Sequence, residues 1–463
     1  MRMNPKTKDA IKLFMEGAEV LASMSQNGIA VDLKYIANIK QVMEKKRSDM
    51  LVDFEKTPLY KEWKKEYKNE INLSSTEQLS NVLYNKLDFT CTEFTAKGRP
   101  QVTSEVLTSL QDDDIDMLLS IKSLDTAKNS FLTGFIGEQV DGVIHPFFSL
   151  LEAVTYRSAS QSPNFQNVPV RNKELSEILR RCFVASAKDR FICEMDFSGI
   201  EVGVGLCYHH DRTMCAYLFD ETKDMHRDAS CDCYLLTPKQ VTKDIRYCGK
   251  NKFVFPEFYG SYYAQCAPAL WKAVDKMKLK TADGVMLYEH LSHKGIEDYE
   301  TFLRHVRKVE DRFWNVRFKE YTEWKNKFFN RYTERGYIHT LTGFTCQGLM
   351  RRNKVINYPI QGTAFHILLQ TAILVHKRLK RYNMQTRLIG QIHDSLVADV
   401  KSEEREVYYT LLQDCVETVM NKWDWIVCPL GVEIEATPDG ASWFEKKPAH
   451  TFKITPPRER INW

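Results

Sequence analysis

Residues 391–397, Gln391-Ile392-His393-Asp394-Ser395-Leu396-Val397, read as a β-hairpin whose tip carries an aspartate. Leu388, Ile389 and Ile392 lead in, Leu396, Val397 and Val400 lead out, and a polar His-Asp-Ser turn separates them. An aspartate in a tight turn is by itself usually a turn residue bonding its own backbone. A second stretch changes that reading. Arg190 to Met195 (RFICEM) alternates like a strand and runs into Asp196, followed by Phe197-Ser198-Gly199-Ile200-Glu201. Two strand-borne aspartates, if adjacent in space, make a site for two oxygen-seeking divalent cations such as magnesium, which favours carboxylates plus substrate phosphates.

The stretch Asp196 to Glu201 resembles the first signature of family A DNA polymerases, and His393-Asp394-Ser395 resembles the third. The resemblance implies an α+β right-hand polymerase fold, with an antiparallel palm sheet and helical fingers and thumb. It implies primer-template DNA and deoxynucleoside triphosphates as partners. It also implies that Asp196 and Asp394 hold two Mg2+ ions, one lowering the pKa of the primer 3′-hydroxyl and one neutralising the triphosphate and the leaving pyrophosphate. Ser395 departs from the pattern, because most relatives carry a second acid there, so the site rests on two carboxylates. A single-subunit RNA polymerase and an inactive DNA-binding replication scaffold are the alternatives.

Composition sets wide bounds. With 463 residues, 43% hydrophobic and 27% charged, the chain has material for two or three subdomains around a sizeable core. A net charge of +4 allows a nucleic-acid partner without indicating one. The 12 cysteines include no CxxC pair, which suits reduced thiols better than a disulfide framework or a zinc site. Met1 to Lys12 has no apolar signal-peptide core, and no apolar run is long enough to span a membrane. The expected location is cytoplasmic, in the host cytoplasm if the chain is phage-encoded.

Phe14 to Met24 is helix-like, Asn27-Gly28 turns, and Asp32 can cap a helix over Lys34 to Lys56. Lys61 to Lys68 is basic with Trp63 and Tyr67 interleaved, a solvated face or a contact to duplex backbone. Ser74 and Ser75 offer N-caps, and with Thr95-Ala96-Lys97-Gly98-Arg99 this order of segments is similar to the family's thumb. The expected division is 1–145 thumb with N-terminal helices, 146–220 first part of the palm, 221–345 fingers, and 346–463 second part of the palm with a C-terminal tail. The chain leaves no room before the thumb for the family's proofreading exonuclease, so any exonuclease or processivity factor is expected on a separate chain. A polymerase module on its own suggests a phage replicase.

Residues 155–169 form a polar, proline-bounded loop. Arg157, Asn164, Gln166 and Asn167 stand at the family's spacing, which implies contact with primer and template. Arg180 and Arg181 are candidates for phosphate contact. Glu201 stands where the family closes a carboxylate over the sugar and excludes a 2′-hydroxyl. His226, in Asp224-Met225-His226-Arg227-Asp228-Ala229, resembles the histidine brought to the incoming phosphates. Arg246 and Lys250 are four apart and share a helix face, which suits a triphosphate.

From Lys250 to Tyr259-Gly260 the chain is one residue longer than the family pattern, a surplus that a π-bulge can absorb. Phe255 and Tyr259 are then the aromatic pair at the nucleotide, with Lys252 a rival to Lys250; Phe255 implies discrimination against dideoxynucleotides. The aromatic stripe of residues 300–336 reads as core. Residues 357–366 match a motif opening a long helix, in which Asn357 and Gln361 are expected at the primer-template minor groove, together with His393. The basic tail from Lys446 onward has no family counterpart.

Overall fold

The computed structural model describes residues 7–461 except Thr92, Glu93, Ala96, Lys97, Gln111, Val170, Arg171 and Lys276, with Glu105 and Ser109 described by backbone alone. The first six residues, the Ala96-Lys97 step of the 95–99 segment and the last two residues of the tail therefore lie outside the described residues.

The main sheet has five strands: β1 (Arg190–Phe197), β2 (Arg387–Ile392), β3 (Ser395–Lys401), β4 (Leu430–Ala436) and β5 (Lys447–Ile454). Their order is β5-β4-β1-β3-β2, and every neighbouring pair is antiparallel. Along β1, Phe191, Cys193, Met195 and Phe197 fall on one face and are all buried, leaving Glu194 and Asp196 to the other. The hairpin β2–β3 turns at His393-Asp394, as read from the sequence. Register then does the rest: Asp196 lies opposite Ser395 on β3 and Glu433 on β4, and the Phe197 amide donates to the Asp394 carbonyl (3.3 Å). The tip of the hairpin and the end of β1 are thereby locked side by side.

Helices close over this sheet. The helix Arg352–Arg381 is buried almost continuously from Ile360 to Ile373, because it runs between other helices and the sheet. Thr7–Asn27 packs on it and on β2, and Arg405–Lys422 packs on it, on β3 and on β5. Asp32 caps Leu33–Phe54 by accepting from the Tyr35 amide (2.9 Å), and Gly336 ends Lys319–Arg335 at φ 76°. Phe313 and Tyr321 are buried, with Trp314 and Trp324 packed beside them, so the 300–336 stripe is core. Among the described residues no helix is long and apolar enough to cross a membrane.

Two expectations change. Trp63 is fully buried in a second core, with Phe54, Leu59, Leu83 and Ile121, and its indole donates to Gln78 Oε1 (3.0 Å). It therefore belongs to packing, not to a surface that faces DNA. The tail from Lys446, for which the sequence offered no structural role, joins the main sheet: Lys447–Ile454 forms edge strand β5. That strand was hidden in the sequence because it is largely exposed and carries Pro448, a residue that only an edge tolerates.

Strands β1 and β3 are tied together by a buried ion pair. Arg190 Nε donates to Asp399 Oδ2 (2.6 Å), and its Nη2 donates to the Asp399 and Gln385 carbonyls (3.0 and 2.6 Å). Asp399 also accepts from the Ser186 amide and hydroxyl (3.1 and 2.6 Å), so both of its carboxylate oxygens are bonded. Removing one partner strands the other charge out of water. Asp399→Ala is expected to lower the unfolding free energy by about 3–5 kcal/mol, read as a fall in denaturant midpoint at unchanged slope.

Candidate active site

Asp196 and Asp394 stand together with little to offset their charge. Asp196 reaches the cleft, but the surrounding protein strips its hydration, and Asp394, Glu194 and Glu433 add repulsion; together these push it up to about 7. Asp394 is raised chiefly by lost hydration, against the opposing pull of Arg157, whose Nη2 lies 3.6 Å from Asp394 Oδ1. That same Oδ1 is buried with no hydrogen bond. Arg157 offsets only part of this charge, so the donor set fits a hard divalent ion that takes further oxygens from a ligand. Among the described residues no three His, Cys, Asp or Glu side chains form a cage by themselves. Ser395 adds no charge and is 3% exposed, its hydroxyl closing the turn onto the Ile392 carbonyl (2.9 Å). His393 at the tip is exposed and takes a left-handed φ of 48°.

Glu201 links this pair to the helices opposite. It sits in the first turn of Ile200–His209, which starts at Gly199, directly after β1. The Arg157 guanidinium donates to Glu201 Oε1, and the Tyr259 hydroxyl donates to Glu201 Oε2 (3.1 Å). Enclosure of that hydroxyl, with Glu201 beside it, pushes Tyr259 up to about 12. Asn357 Nδ2 donates to the Tyr259 carbonyl (3.3 Å), so the start of the long helix holds the same residue from behind.

One turn back from Tyr259 lies a cationic group. Asp224 caps Met225–Tyr234 through the His226 and Arg227 amides (both 3.0 Å) and accepts from Arg246 Nε (2.6 Å). His226 packs edge-on to Phe255 (5.6 Å between centroids), and Lys250 Nζ lies 5.1 Å from the centre of the Phe255 ring. Burial, and then Arg246 and Lys250, lower His226 to about 4; its Nδ1 is buried with no partner. Residues Lys250–Val254 form a π-helical turn, which absorbs the surplus residue. Phe255 thereby faces His226 while Val254 is buried in the core, and Lys252 is exposed away from this group.

The 155–169 loop divides its expected residues. Asn164 and Asn167 are exposed, whereas the Gln166 amide is engaged by the hairpin, donating to Gln391 Oε1 (2.7 Å) and Ser158 Oγ (2.8 Å). Gln391 in turn donates to the His393 carbonyl (2.6 Å). Gln391 was missed as a functional residue; its signal was an amide within an otherwise apolar strand, where it is 3% exposed. Among the described residues the Gln361 side chain makes no hydrogen bond to protein, so its amide group is available. Arg180 and Arg181 lie over the Trp443 and Phe444 rings (4.5 and 4.4 Å).

Gly362 was missed as well. A Cβ there would meet the Thr155 carbonyl oxygen at 2.4 Å, so the long helix touches the backbone next to Arg157. His366, one turn on, meets the Tyr156 carbonyl through Nε2 (3.2 Å) and Thr342 Oγ1 through Nδ1 (2.6 Å). A glycine inside a buried helix signals such an approach.

A five-stranded antiparallel sheet bearing two adjacent aspartates, faced by a cationic helix, is the architecture of the right-hand polymerases. It superposes with a TM-score of 0.72 on the POL domain of Pol1 from M. smegmatis, solved in complex with DNA primer-template and dNTP, at 21% identity over 93% of this chain and 70% of that one. The sequence pattern of DNA polymerase family A matches residues 41–445, and the chain belongs to that family. It is 27% identical over 448 residues to DNA polymerase I of Chloroflexus aurantiacus, covering 93% of this chain and 42% of that protein. It is 25% identical over 403 residues to DNA polymerase I of Aquifex aeolicus (86% and 62%), and 24% over 359 to the DNA polymerase of Bacillus phage SP01 (73% and 36%). The chain thus spans less than two thirds of each of these relatives.

The helix contact at Gly362 gives a paired test. Gly362→Ala should destabilise the fold by about 1–3 kcal/mol, because the Thr155 backbone must move. Gly205→Ala, whose Cβ would meet nothing nearer than 3.5 Å, should stabilise it by about 0.5–1 kcal/mol through helix propensity. Chemical denaturation of the two variants checks both signs.

Proposed function

We propose that this chain extends a primer 3′-hydroxyl with deoxynucleotides on a DNA template. The observation that carries the reading is the convergence of Asp196, Asp394 and Glu201 on one side of the cleft with Arg246, Lys250 and His226 on the other, joined by the Tyr259–Glu201 hydrogen bond. Residues 1–145, 146–220 with 346–463, and 221–345 would then act as thumb, palm and fingers.

Arg246 and Lys250 attract the triphosphate, the first as a planar fork and the second as a point charge. His226 stays neutral until phosphate charge offsets those two cations, and then has a proton to share with it. Two magnesium ions, held by Asp196 and Asp394 with the substrate phosphates, would activate the attacking hydroxyl and offset the leaving charge. Glu201, fixed by Tyr259 and Arg157, walls the sugar and leaves no room for a 2′-hydroxyl. Arg157, which donates to Glu201 and lies near Asp394, would turn toward an arriving primer. The exposed amides Asn164 and Asn167, with Gln361 and His393, are assigned to primer and template.

Primer extension tests the reading. The protein should extend a labelled primer with deoxynucleotides and Mg2+, and Asp196→Asn and Asp394→Asn should each lose at least ~10³-fold in rate while keeping duplex affinity. A wild-type protein that binds primer-template without extending it would favour the scaffold alternative. Glu201→Ala should raise ribonucleotide use relative to deoxynucleotide use by about 10²-fold; ready ribonucleotide use by the wild type would instead favour an RNA polymerase.

The histidine supplies a third expectation. Between about pH 4 and its ordinary value of 6.5, the unfolded chain takes up a proton that folded His226 refuses, so this residue lowers stability as pH falls through that window. A bound deoxynucleoside triphosphate should raise its titration midpoint, measured by NMR. A midpoint indifferent to nucleotide would separate His226 from the phosphates.

A further inference from the structure

Glu257 carries a carboxylate into the interior behind the helical run Lys243 to Phe258, the run that bears Arg246, Lys250 and Phe255 and is capped by Tyr259. It is 2% exposed and forms no direct ion pair among the described residues. A buried carboxylate is costly, and an apolar side chain of similar volume commonly serves the fold as well or better. A charge kept at such a place calls for a task.

Donors from two other segments hold it. Oε2 accepts from Trp314 Nε1 (2.8 Å), and Oε1 accepts from the Cys266 thiol (3.6 Å). Against the face of the same indole, Lys325 Nζ lies 3.0 Å from the ring centre, and it lies 5.2 Å from that of Tyr321, with no hydrogen bond of its own among the described residues. One ring thus takes a cation on its face and gives its N–H to an anion at its edge. The cation draws density from the ring and strengthens the N–H as a donor, so the two charges pair through the indole.

Both charges are short of water. Lost hydration raises Glu257 to about 7, with Glu310 adding to it and Trp314, Cys266 and Lys325 opposing. Lost hydration likewise lowers Lys325 to about 7, against the pull of Glu257 and Glu310. Around the carboxylate stand Cys233 on Met225–Tyr234, Cys266 on Tyr263–Asp275, Glu310 on Tyr299–Arg312 and Lys325 on Lys319–Arg335, while Arg352 at the start of the long helix repels Lys325. The doubly charged form is therefore fullest near neutrality: acid discharges the carboxylate and alkali discharges the ammonium.

The effect falls on Tyr259. The Tyr259 amide donates to the Phe255 carbonyl (3.0 Å) and the Gly260 amide to the Glu257 carbonyl (3.2 Å), so the turn that ends at Tyr259 is the turn that Glu257 anchors. Phe258, between them, packs on Phe313, Trp314 and Tyr321 (5.8, 5.8 and 6.0 Å between centroids). On its other side Tyr259 reaches Glu201.

We infer that Glu257 is a positioning residue for the incoming nucleotide: its carboxylate, paired through the Trp314 indole with Lys325, sets the end of the helix and hence the reach of Tyr259 to Glu201, and this hold loosens when either charge is lost. The inference rests on the polymerase reading above. Its test is the dissociation constant of a matched deoxynucleoside triphosphate on a dideoxy-terminated primer-template, for wild type, Glu257→Gln and Lys325→Arg, from about pH 5.5 to about pH 8.5. Phosphates and His226 titrate as well, so each variant is read as a ratio to wild type at the same pH. Glu257→Gln keeps an acceptor for Trp314 without the charge. It should match wild type at about pH 5.5 and bind about fivefold or more weakly at neutral pH, the low end of coupling between separate groups. Lys325→Arg keeps a cation that does not titrate in this range. It should match wild type up to neutral pH and bind about fivefold more tightly at about pH 8.5, where wild type has lost its ammonium. Ratios that do not change with pH would overturn the inference, since packing alone gives no such dependence. If wild type binds no deoxynucleotide at any pH, the polymerase reading falls and this inference falls with it.

Discussion

Antiparallel register is the constraint on which the site depends. Once β1 pairs with β3 so that Asp196 faces Ser395, the hairpin tip can only bring Asp394 alongside Asp196. A slip of one residue would turn Asp196 toward the buried face that holds Met195 and Phe197 and dismantle the pair. The alternation of buried side chains along β1, and the Arg190–Asp399 ion pair at its start, are what make that slip costly. Two carboxylates brought together by apolar burial are in turn an unfinished electrostatic arrangement. Their raised affinity for protons is the same property that makes them ready for a metal ion.

The helix Arg352–Arg381 extends this order from the sheet to the rest of the cleft. Gly362 and His366 fix the loop bearing Arg157, and Asn357 holds Tyr259. Groups from distant parts of the sequence are therefore spaced by one helical ruler. The Glu201 carboxylate, bonded from both sides by Arg157 and Tyr259, is where ruler and sheet meet.

Much of this was legible in the sequence for identifiable reasons. The hairpin and β1 were readable because short strands with apolar alternation announce themselves, and the surplus residue after Lys250 announced a π turn because a helix has few ways to absorb one. What escaped was whatever depends on which side of an element meets another. Lysines around Trp63 said nothing about the ring pointing inward. Gln166 looked free for DNA because its partner, Gln391, lies over two hundred residues away. β5 escaped because an exposed edge strand with a proline lacks the alternation that marks a strand. Glu257 is a further case: it sits two residues from Tyr259, is 2% exposed and accepts from Trp314 Nε1 (2.8 Å).

The claim that Asp196 and Asp394 are joined by register to hold divalent cations is best tested by counting them. Mn2+ binding, followed by electron paramagnetic resonance, would be measured on the protein with a dideoxy-terminated primer-template and the matching deoxynucleoside triphosphate. The account predicts two bound ions per complex in the wild type and a loss of tight binding in both Asp196→Asn and Asp394→Asn. Undiminished binding in both variants would contradict it.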